Sequence, residues 1–391
     1  MSDVTILNAT LVLPDCLLDD AWLRVQSGRI AAFGASDSWR SAVGPTWDAS
    51  GRFLAPGFID MHVHGGDGAD FMDGDEAAFA TVIASHRRHG TTGLVPTSTV
   101  ATHEQTLRFL GLCEHFHATG QVLGSHLYGP YFNEEKVGCH PLAPTRPPTK
   151  SEYGAYLRFA NSMLVATCAP ELSGASDFFR DASAAGIRLN AGHSNASWSE
   201  MQVAFDLGIR HVDHFYCAMS SVPGLRDRLG VPMQASMTEF VLATNEMTTE
   251  IIADGQHLAP ELLRFVVRML GVDRVALVTD CNRALDMPPG EYVFGPHDAG
   301  VTIVSDGAVG WTADRSALAS SVRGMDFMVR HMHQIVGLEL PQAVRMATLT
   351  PATILGVQAE LGSLEVGKRA DLVLLDKQLE VGGVWMNGVQ Q

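Results

Sequence analysis

The stretch PGFIDMHVHG (residues 56–65) joins an apolar, strand-like run to two histidines that are separated by one residue. Successive residues of a strand point to opposite faces, so His62 and His64 project from the same face. Two neutral imidazoles that converge at a strand end suit a borderline-soft divalent metal such as zinc. A single pair of this kind is common by chance, so the prediction depends on whether other strands also end in ligating side chains.

Length and composition limit the fold and the partners. The chain has 391 residues, of which 46% are hydrophobic and 18% charged, as expected for a globular protein with a large core. The net charge of −16 argues against a nucleic-acid or membrane partner. Its six cysteines show no C-x-x-C pairing, the N-terminus has no export-signal pattern, and no apolar run approaches the roughly 20 residues that span a bilayer. We therefore expect a soluble, cytoplasmic protein.

Beyond the opening run, strand-like segments alternate with amphipathic helical segments. Counting the run from Phe53, eight strands are predicted, and helices separate most of them. This alternation favours a (β/α)8 barrel, a fold that commonly reaches about 250 residues as one unit. A doubly wound open sheet is the alternative, but no glycine-rich phosphate motif follows the first strand. The seven later strands are predicted at 92–98, 121–127, 163–169, 187–191, 211–215, 249–253 and 275–279.

Both ends of the chain differ from this middle part. Short strand-like segments on either side of a long α/β region predict a small β-sandwich domain built from residues 1–52 and 358–391. Residues 53–357 are then the barrel. Within it, residues 282–316 break the alternation and contain the hairpin-type turn Asp306-Gly307, so we expect a β insertion there.

Six predicted strand ends carry histidine or aspartate. In a (β/α)8 barrel the carboxyl ends of the strands meet at one face, where barrel enzymes keep their chemistry. A lone histidine at such a position is more often structural than a ligand, but six such ends together favour a metal site. The residues are His62, His64, His126, His193, Asp213, His214, Asp254, His257 and Asp280.

Several motifs make this pattern specific. PGFIDxHxHG, the terminal GSLEVGKRADLVLLD (residues 362–376) and the His–His–Asp strand ends resemble the amidohydrolase superfamily. Within it, the motifs GPYFNxxKxGCHP, APE, AGHSNA, HFYCAMS, DGQH and LVTD resemble the N-acetylglucosamine-6-phosphate deacetylases. The resemblance covers nearly the whole chain. It implies metal-dependent removal of an acetyl group from an amino-sugar phosphate, in a homodimer.

The resemblance also implies roles for individual residues. His193 and His214 match metal ligands, in addition to His62 and His64. Asp280 matches the carboxylate that binds the metal, activates a water molecule and then protonates the leaving amine. These five residues are the predicted metal site, and Asp280 is the predicted catalytic residue.

Substrate contacts follow from the same resemblance. His140 matches a histidine near the acyl group, while His257 and the backbone of Cys217-Ala218 match sugar-phosphate contacts. Arg226 or Arg228 is expected to bind the phosphate, although the spacing of this segment departs from the family pattern. Cys217 stands where the family often has asparagine, which leaves the substrate open. The alternative substrates are N-acetylgalactosamine-6-phosphate, an N-acyl-D-amino acid and a cyclic amide. The alternative to an enzyme is a non-catalytic scaffold protein.

One departure affects the metal itself. Where this chain has Tyr128, the family usually has the glutamate of a Leu-Glu-Gly-Pro motif. That glutamate is a metal ligand in the family. One interpretation is a mononuclear site in which His214 has a catalytic or secondary role. The other is that Glu134 or Glu135 replaces the missing ligand. We favour the first because ligands at strand ends are held more rigidly than ligands on loops. One ion is therefore expected, with zinc favoured over Fe2+, Mn2+, Co2+ or Ni2+. The mononuclear ligands would be His62, His64, His193 and Asp280.

Overall fold

The computed structural model describes residues 3–39 and 44–391, so parts of the predicted small domain (residues 1–2 and 40–43) lie outside the described residues. Eight parallel strands form the barrel that the sequence predicts. The third to eighth strands form one continuous parallel sheet, and the first pairs with the second. The backbone N–H of Asp280 donates to the carbonyl of His62 over 2.9 Å and links the eighth strand to the first. The barrel strands are Phe58–Val63, Thr91–Pro96, Ser125–Tyr128, Met163–Thr167, Arg188–Ala191, His211–Val212, Thr248–Ile252 and Val275–Val278.

Helices surround the barrel, and several begin at caps that can be read in the sequence. Asp75 accepts from the backbone of Ala78, and Thr102 and Ser197 form capping boxes with residues three positions later. In the described residues, none of the helices is long and apolar enough to cross a membrane. The helices are Glu76–Arg88, His103–Ala118, Lys150–Tyr156, Ala175–Ala184, Trp198–Asp206, Val222–Leu229, Met237–Ala243, Pro260–Leu270, Met325–His331, Leu340–Met346 and Leu349–Leu355, with 3₁₀ turns at Ser36–Ser38, Phe71–Asp73, Glu134–Lys136 and Leu157–Phe159 and a π-helical turn at Met332–Val336.

The two ends of the chain form one eight-stranded sheet, which has an apolar core separate from that of the barrel. Phe53–Pro56 belongs to this sheet, because it pairs with Val4–Val12 on one side and with Leu372–Leu375 on the other. The small domain thus reaches four residues beyond the predicted boundary at residue 52, and the barrel begins at Phe58. The remaining strands of the sheet are Leu17–Gln26, Arg29–Ala35, Thr46–Asp48, Val381–Met386 and Val389–Gln390.

The expected β insertion follows the eighth barrel strand as a four-stranded antiparallel sheet. Its last strand, Leu318–Ser321, lies just beyond the segment in which the sequence predicted strands. Arg283, which is 2% exposed, fixes the insertion to the loop after the first barrel strand. Its guanidinium lies 2.8 Å from Asp73 and donates to the Gly295 carbonyl over 2.7 Å. The insertion strands are Gly290–Phe294, Val301–Ser305, Val309–Thr312 and Leu318–Ser321, and the adjacent loop contains the short pair Gly65–Gly66 and Ala69–Asp70.

Candidate active site

Three of the predicted ligands meet at the carboxyl end of the barrel. His62 lies at the end of the first strand, His64 directly follows that strand, and Asp280 lies two residues after the eighth. Oδ1 of Asp280 lies 3.2 Å from Nε2 of His64 and 3.6 Å from Nε2 of His62. The three ligand atoms lie within 4.8 Å of one another, and all three residues are buried. Two imidazoles and a carboxylate in this arrangement are a donor set that suits zinc and similar divalent ions.

The far side of each imidazole is held by a second group. Nδ1 of His62 lies 2.5 Å from Oε1 of Glu250, and Nδ1 of His64 lies 3.2 Å from the carbonyl oxygen of Thr97. Both contacts direct Nε2 toward Asp280, which is how metal-binding histidines are usually oriented. Nε2 of His62 is buried and has no hydrogen-bond partner among the described residues. A buried nitrogen that is oriented but unsatisfied fits a cation at this position.

Glu250 was not identified from the sequence. It lies in the seventh strand, is fully buried, and contacts three groups at once. Besides His62, it accepts from the backbone N–H of His214 over 3.2 Å and lies 3.3 Å from Nε2 of His211. Burial alone would raise the pKa of Glu250, but the charge of His62 and the contact with His211 hold it well below its usual range. A lone carboxylate directly before the apolar run IIA (residues 251–253) was the available signal.

His193 and His214 form a second group together with Tyr128. Their Nε2 atoms are 3.2 Å apart, and Oη of Tyr128 lies 2.5 Å from Nε2 of His214. Nδ1 of His193 donates to the carbonyl of Lys136 over 2.6 Å, which leaves its Nε2 as an acceptor. The two predicted ligands are thus brought together, with the hydroxyl of Tyr128 beside Nε2 of His214.

The backbone at these strand ends is unusual. His193, His214 and Asp280 have φ values of 46°, 23° and 47°. Residues with a Cβ rarely adopt positive φ, and such conformations cost of order 1–3 kcal/mol each. Strain of this kind accumulates at functional sites, because the surrounding structure has to impose it.

A cavity of about 310 Å³ opens above these groups. Four predicted substrate contacts line it, together with Tyr128, His193, His214 and Asp280. The contacts are His140, Cys217, Ala218 and His257. The backbone N–H of Val100 donates to Nδ1 of His140 over 3.3 Å, and His257 is held 2.7 Å from Asp254.

The charges around the cavity differ in part from the prediction. Arg226 is exposed on the helix Val222–Leu229 and does not line the cavity, while Arg228 pairs with Glu200 over 2.5 Å. The expected phosphate arginine is therefore absent from the cavity wall among the described residues. Of the lysines and arginines in residues 3–39 and 44–391, Lys136, which the sequence analysis did not select, is the one that lines it. Burial raises the pKa of the Cys217 thiol to about 12, so this side chain stays neutral.

Other strand-end residues have structural roles. His126 contacts Thr167 over 2.8 Å, and Thr167 donates to Asp213 over 2.7 Å, so these groups form a polar network inside the barrel. Glu134 and Glu135 are exposed, and Glu135 accepts from Asn195 over 2.5 Å. Neither glutamate belongs to the converging groups of ligand atoms in the described part of the chain, but Glu135 lines the cavity, so its replacement of the family glutamate stays a prediction.

A (β/α)8 barrel with a His–His–Asp cluster at its strand ends, joined to a small sheet made from both chain ends, defines a metal-dependent hydrolase. The model of the amidohydrolase family matches residues 53–390, and the chain belongs to this family.

Individual relatives agree with this assignment. The chain is 34% identical over 380 residues to N-acetylgalactosamine-6-phosphate deacetylase of Escherichia coli O157:H7, covering 95% of this chain and 94% of that protein. It is 32% identical over 376 residues to N-acetylglucosamine-6-phosphate deacetylase of Vibrio furnissii, covering 93% and 88%. The structure of N-acetyl-D-glucosamine-6-phosphate deacetylase from Mycobacterium smegmatis superposes with a TM-score of 0.90 at 29% identity and covers both chains completely. The predicted family and fold are confirmed.

Proposed function

We propose that the protein removes the acetyl group from an N-acetyl amino-sugar 6-phosphate, with N-acetylglucosamine-6-phosphate as the first candidate. The observation that carries the proposal is the His62–His64–Asp280 cluster beside a cavity of about 310 Å³. That volume suits one phosphorylated monosaccharide. The names of the relatives support the same substrate class.

One divalent ion, with zinc favoured, is proposed at His62, His64 and Asp280. Fe2+, Mn2+, Co2+ and Ni2+ accept similar donors and are the alternatives. Three protein ligands leave a coordination position open, as catalytic zinc sites require. A bound divalent ion supplies a Lewis acid for the amide carbonyl and makes a neighbouring water more acidic. His214, which the resemblance also assigns as a ligand, is proposed instead to act through its hydrogen bond with Tyr128, and His193 through its contact with His214.

Asp280 is the proposed proton carrier. It lines the cavity at 6% exposure, and interactions with His64, His62 and His214 hold the pKa of its carboxyl below the usual range despite burial. As a carboxylate it accepts a proton from the attacking water and passes it to the amide nitrogen. A C–O bond to the water oxygen forms, the C–N bond breaks, and acetate and the free amino sugar are released.

The substrate contacts are proposed from the cavity wall. His140 lies near the metal histidines, with ring centroids 5.9 Å from His64 and 5.0 Å from His193, and is placed at the acetyl group. Lys136 and His257 are proposed to bind the sugar phosphate, together with the backbone of Cys217-Ala218. The assignment of Arg226 to the phosphate rests on the resemblance alone.

Assembly and compartment are also proposals. A homodimer is expected from the resemblance, and sedimentation analysis of the purified protein tests it. A cytoplasmic location is supported by the absence of disulfide bonds, since all six cysteines are free thiols.

The deciding experiment measures acetate release by the zinc-loaded protein. Three substrates are compared: N-acetylglucosamine-6-phosphate, N-acetylgalactosamine-6-phosphate and unphosphorylated N-acetylglucosamine. Rapid release from one or both phosphates, with a much higher KM for the unphosphorylated sugar, is expected. The E. coli relative makes the galactose epimer the second candidate. Release from neither phosphate would refute the proposal.

A further inference from the structure

We infer that the Tyr128 hydroxyl stands where a second cation would bind and donates a hydrogen bond to the acetyl carbonyl of the substrate. The enzyme would then work with one cation and one phenol. The second half of this inference rests on the proposed deacetylation, whereas the first half concerns the protein alone.

The hydroxyl oxygen of Tyr128 lies beside two imidazole nitrogens. Tyr128 ends the third barrel strand, and its Oη lies 2.5 Å from Nε2 of His214, which in turn lies 3.2 Å from Nε2 of His193. Two imidazole nitrogens and one oxygen at such distances resemble a set of metal ligands. The oxygen, however, belongs to a phenol, which is a much weaker cation ligand than a carboxylate.

The ring of Tyr128 is held firmly in this position. It packs edge-on against His62, Phe132 and His193, with ring centroids 4.4, 4.8 and 5.3 Å away. The residue is 1% exposed and nevertheless lines the cavity. A hydroxyl fixed by packing at the wall of the cavity is a preorganised group, which is the condition under which a single donor contributes most to catalysis.

The hydrogen-bond pattern leaves the Tyr128 proton free for the substrate. Nε2 of His193 is an acceptor, because Nδ1 donates to the Lys136 carbonyl. A contact of 3.2 Å between two imidazole nitrogens requires one proton, which must therefore be on Nε2 of His214. Nδ1 of His214 has no partner among the described residues, as is tolerable for an acceptor. The N–H of His214 is shared with Oη of Tyr128, whose own O–H remains available.

The same arrangement explains why one cation suffices. At the second position, the third strand supplies the neutral Tyr128 phenol beside the Nε2 atoms of His193 and His214, so this strand contributes no anionic ligand there. A neutral donor can polarise a carbonyl oxygen and stabilise the negative charge that develops on it, which is one of the tasks of a second metal.

Three proteins test the inference: wild type, Tyr128→Phe and Tyr128→Glu. Zinc per chain is measured after equilibration with excess zinc and removal of loosely bound ions. We expect about one ion in the wild type and in Tyr128→Phe, and about two in Tyr128→Glu, where a carboxylate joins the two histidines. Tyr128→Phe is expected to lose about 10²–10³-fold in kcat with KM changed only a few-fold.

Tyr131→Phe is the matched control. This tyrosine is also buried, but its hydroxyl contacts Glu152 over 3.3 Å, away from the metal histidines. It is expected to keep the metal content and kcat of the wild type. Two ions in the wild type and one in Tyr128→Phe would make Tyr128 a ligand and overturn the inference. Wild-type kcat in Tyr128→Phe would overturn the donor role.

The design separates this inference from the proposed function. If the zinc-loaded wild type releases no acetate from either sugar phosphate, the proposed function fails, and the donor role fails with it. The metal contents of wild type and Tyr128→Phe still decide whether the hydroxyl stands in for a second cation. Tyr128→Phe removes only one oxygen, so this comparison does not depend on whether Tyr128→Glu folds.

Discussion

Replacing Glu250 by glutamine keeps the shape of the side chain but removes the negative charge that lies 2.5 Å from Nδ1 of His62. The amide oxygen can still accept from Nδ1, so the change affects mainly the strength of the contact. Hydrogen bonds to charged groups contribute about 1.5–3 kcal/mol, against about 0.5–1.5 kcal/mol for neutral pairs. His62 therefore becomes a weaker and less firmly oriented ligand.

Loss of an outer-shell partner typically weakens metal binding by about 10–100-fold. This corresponds to about 1.4–2.8 kcal/mol, and the difference of about 1–1.5 kcal/mol between charged and neutral hydrogen bonds accounts for the lower end of that range. The full effect is expected here, because Glu250 and His62 are both fully buried and no solvent screens the pair. We expect the zinc dissociation constant of Glu250→Gln to rise by that factor, as measured by competition with a chromophoric chelator.

Asp70→Asn is the control for removing a buried carboxylate. Asp70 is also fully buried, but it accepts from the backbone of Met72 and Gly295 rather than from a metal histidine. The zinc dissociation constant of the Asp70→Asn variant is expected to stay within a few-fold of that of the wild type. Wild-type affinity in folded Glu250→Gln would refute the reasoning. An equal loss in Asp70→Asn would show that the effect is general destabilisation.

Three further predictions concern catalysis, metal binding and stability. Asp280→Asn is expected to retain metal, measured as zinc per chain, while kcat for acetate release falls about 10²–10⁴-fold; near wild-type turnover would refute the proton relay. Zinc at 100 times its dissociation constant is expected to stabilise the protein by about 2.7 kcal/mol over the chelator-treated form, visible as a higher melting temperature; no shift would argue against a folded metal site. Burial lowers the pKa of His89, but Asp286 and Asp326 raise it to about 9. Its contribution to stability is therefore complete below its unfolded pKa of about 6.5 and disappears as pH rises through about 9. The difference in unfolding free energy between wild type and His89→Gln should shrink by up to about 3 kcal/mol over this range, and a constant difference would refute the assignment.

The fold was predictable because its local signals agree with one another. The strand predicted at 163–169 is found at Met163–Thr167, and the helix predicted at 260–270 is found at Pro260–Leu270. Periods of 2 and 3.6 residues in the apolar pattern decide such elements without long-range information. The first strand was the exception. The apolar run from Phe53 continues through Gly57, but its first four residues pair with the terminal sheet and not with the barrel. Hydrophobicity alone does not reveal which sheet a strand joins.

The candidate site was predictable to the extent that it depends on strand ends. His62, His64 and Asp280 could be placed together because parallel strands present their carboxyl ends at one face. His126 lies within the third strand, two residues before its end, and Asp213 directly follows the sixth, yet both form hydrogen bonds inside the barrel. The difference lies in the direction of each side chain relative to the barrel axis, which depends on strand stagger and cannot be read from a single sequence.

Glu250 shows why the residues that hold the metal ligands in place could not be predicted from the sequence. Its distance from His62 in sequence is 188 residues, and the two strands that carry them meet only because the barrel closes. A motif can specify residues that lie on one strand or turn, as PGFIDMHVHG does. It cannot specify a partner that arrives from the other side of the barrel. The same closure brings Tyr128 from the third strand against His214 from the sixth, 86 residues away. The groups that orient the ligands and decide how many ions bind are thus set by barrel geometry, and mutating Glu250 and Tyr128 tests that geometry more directly than mutating the histidines themselves.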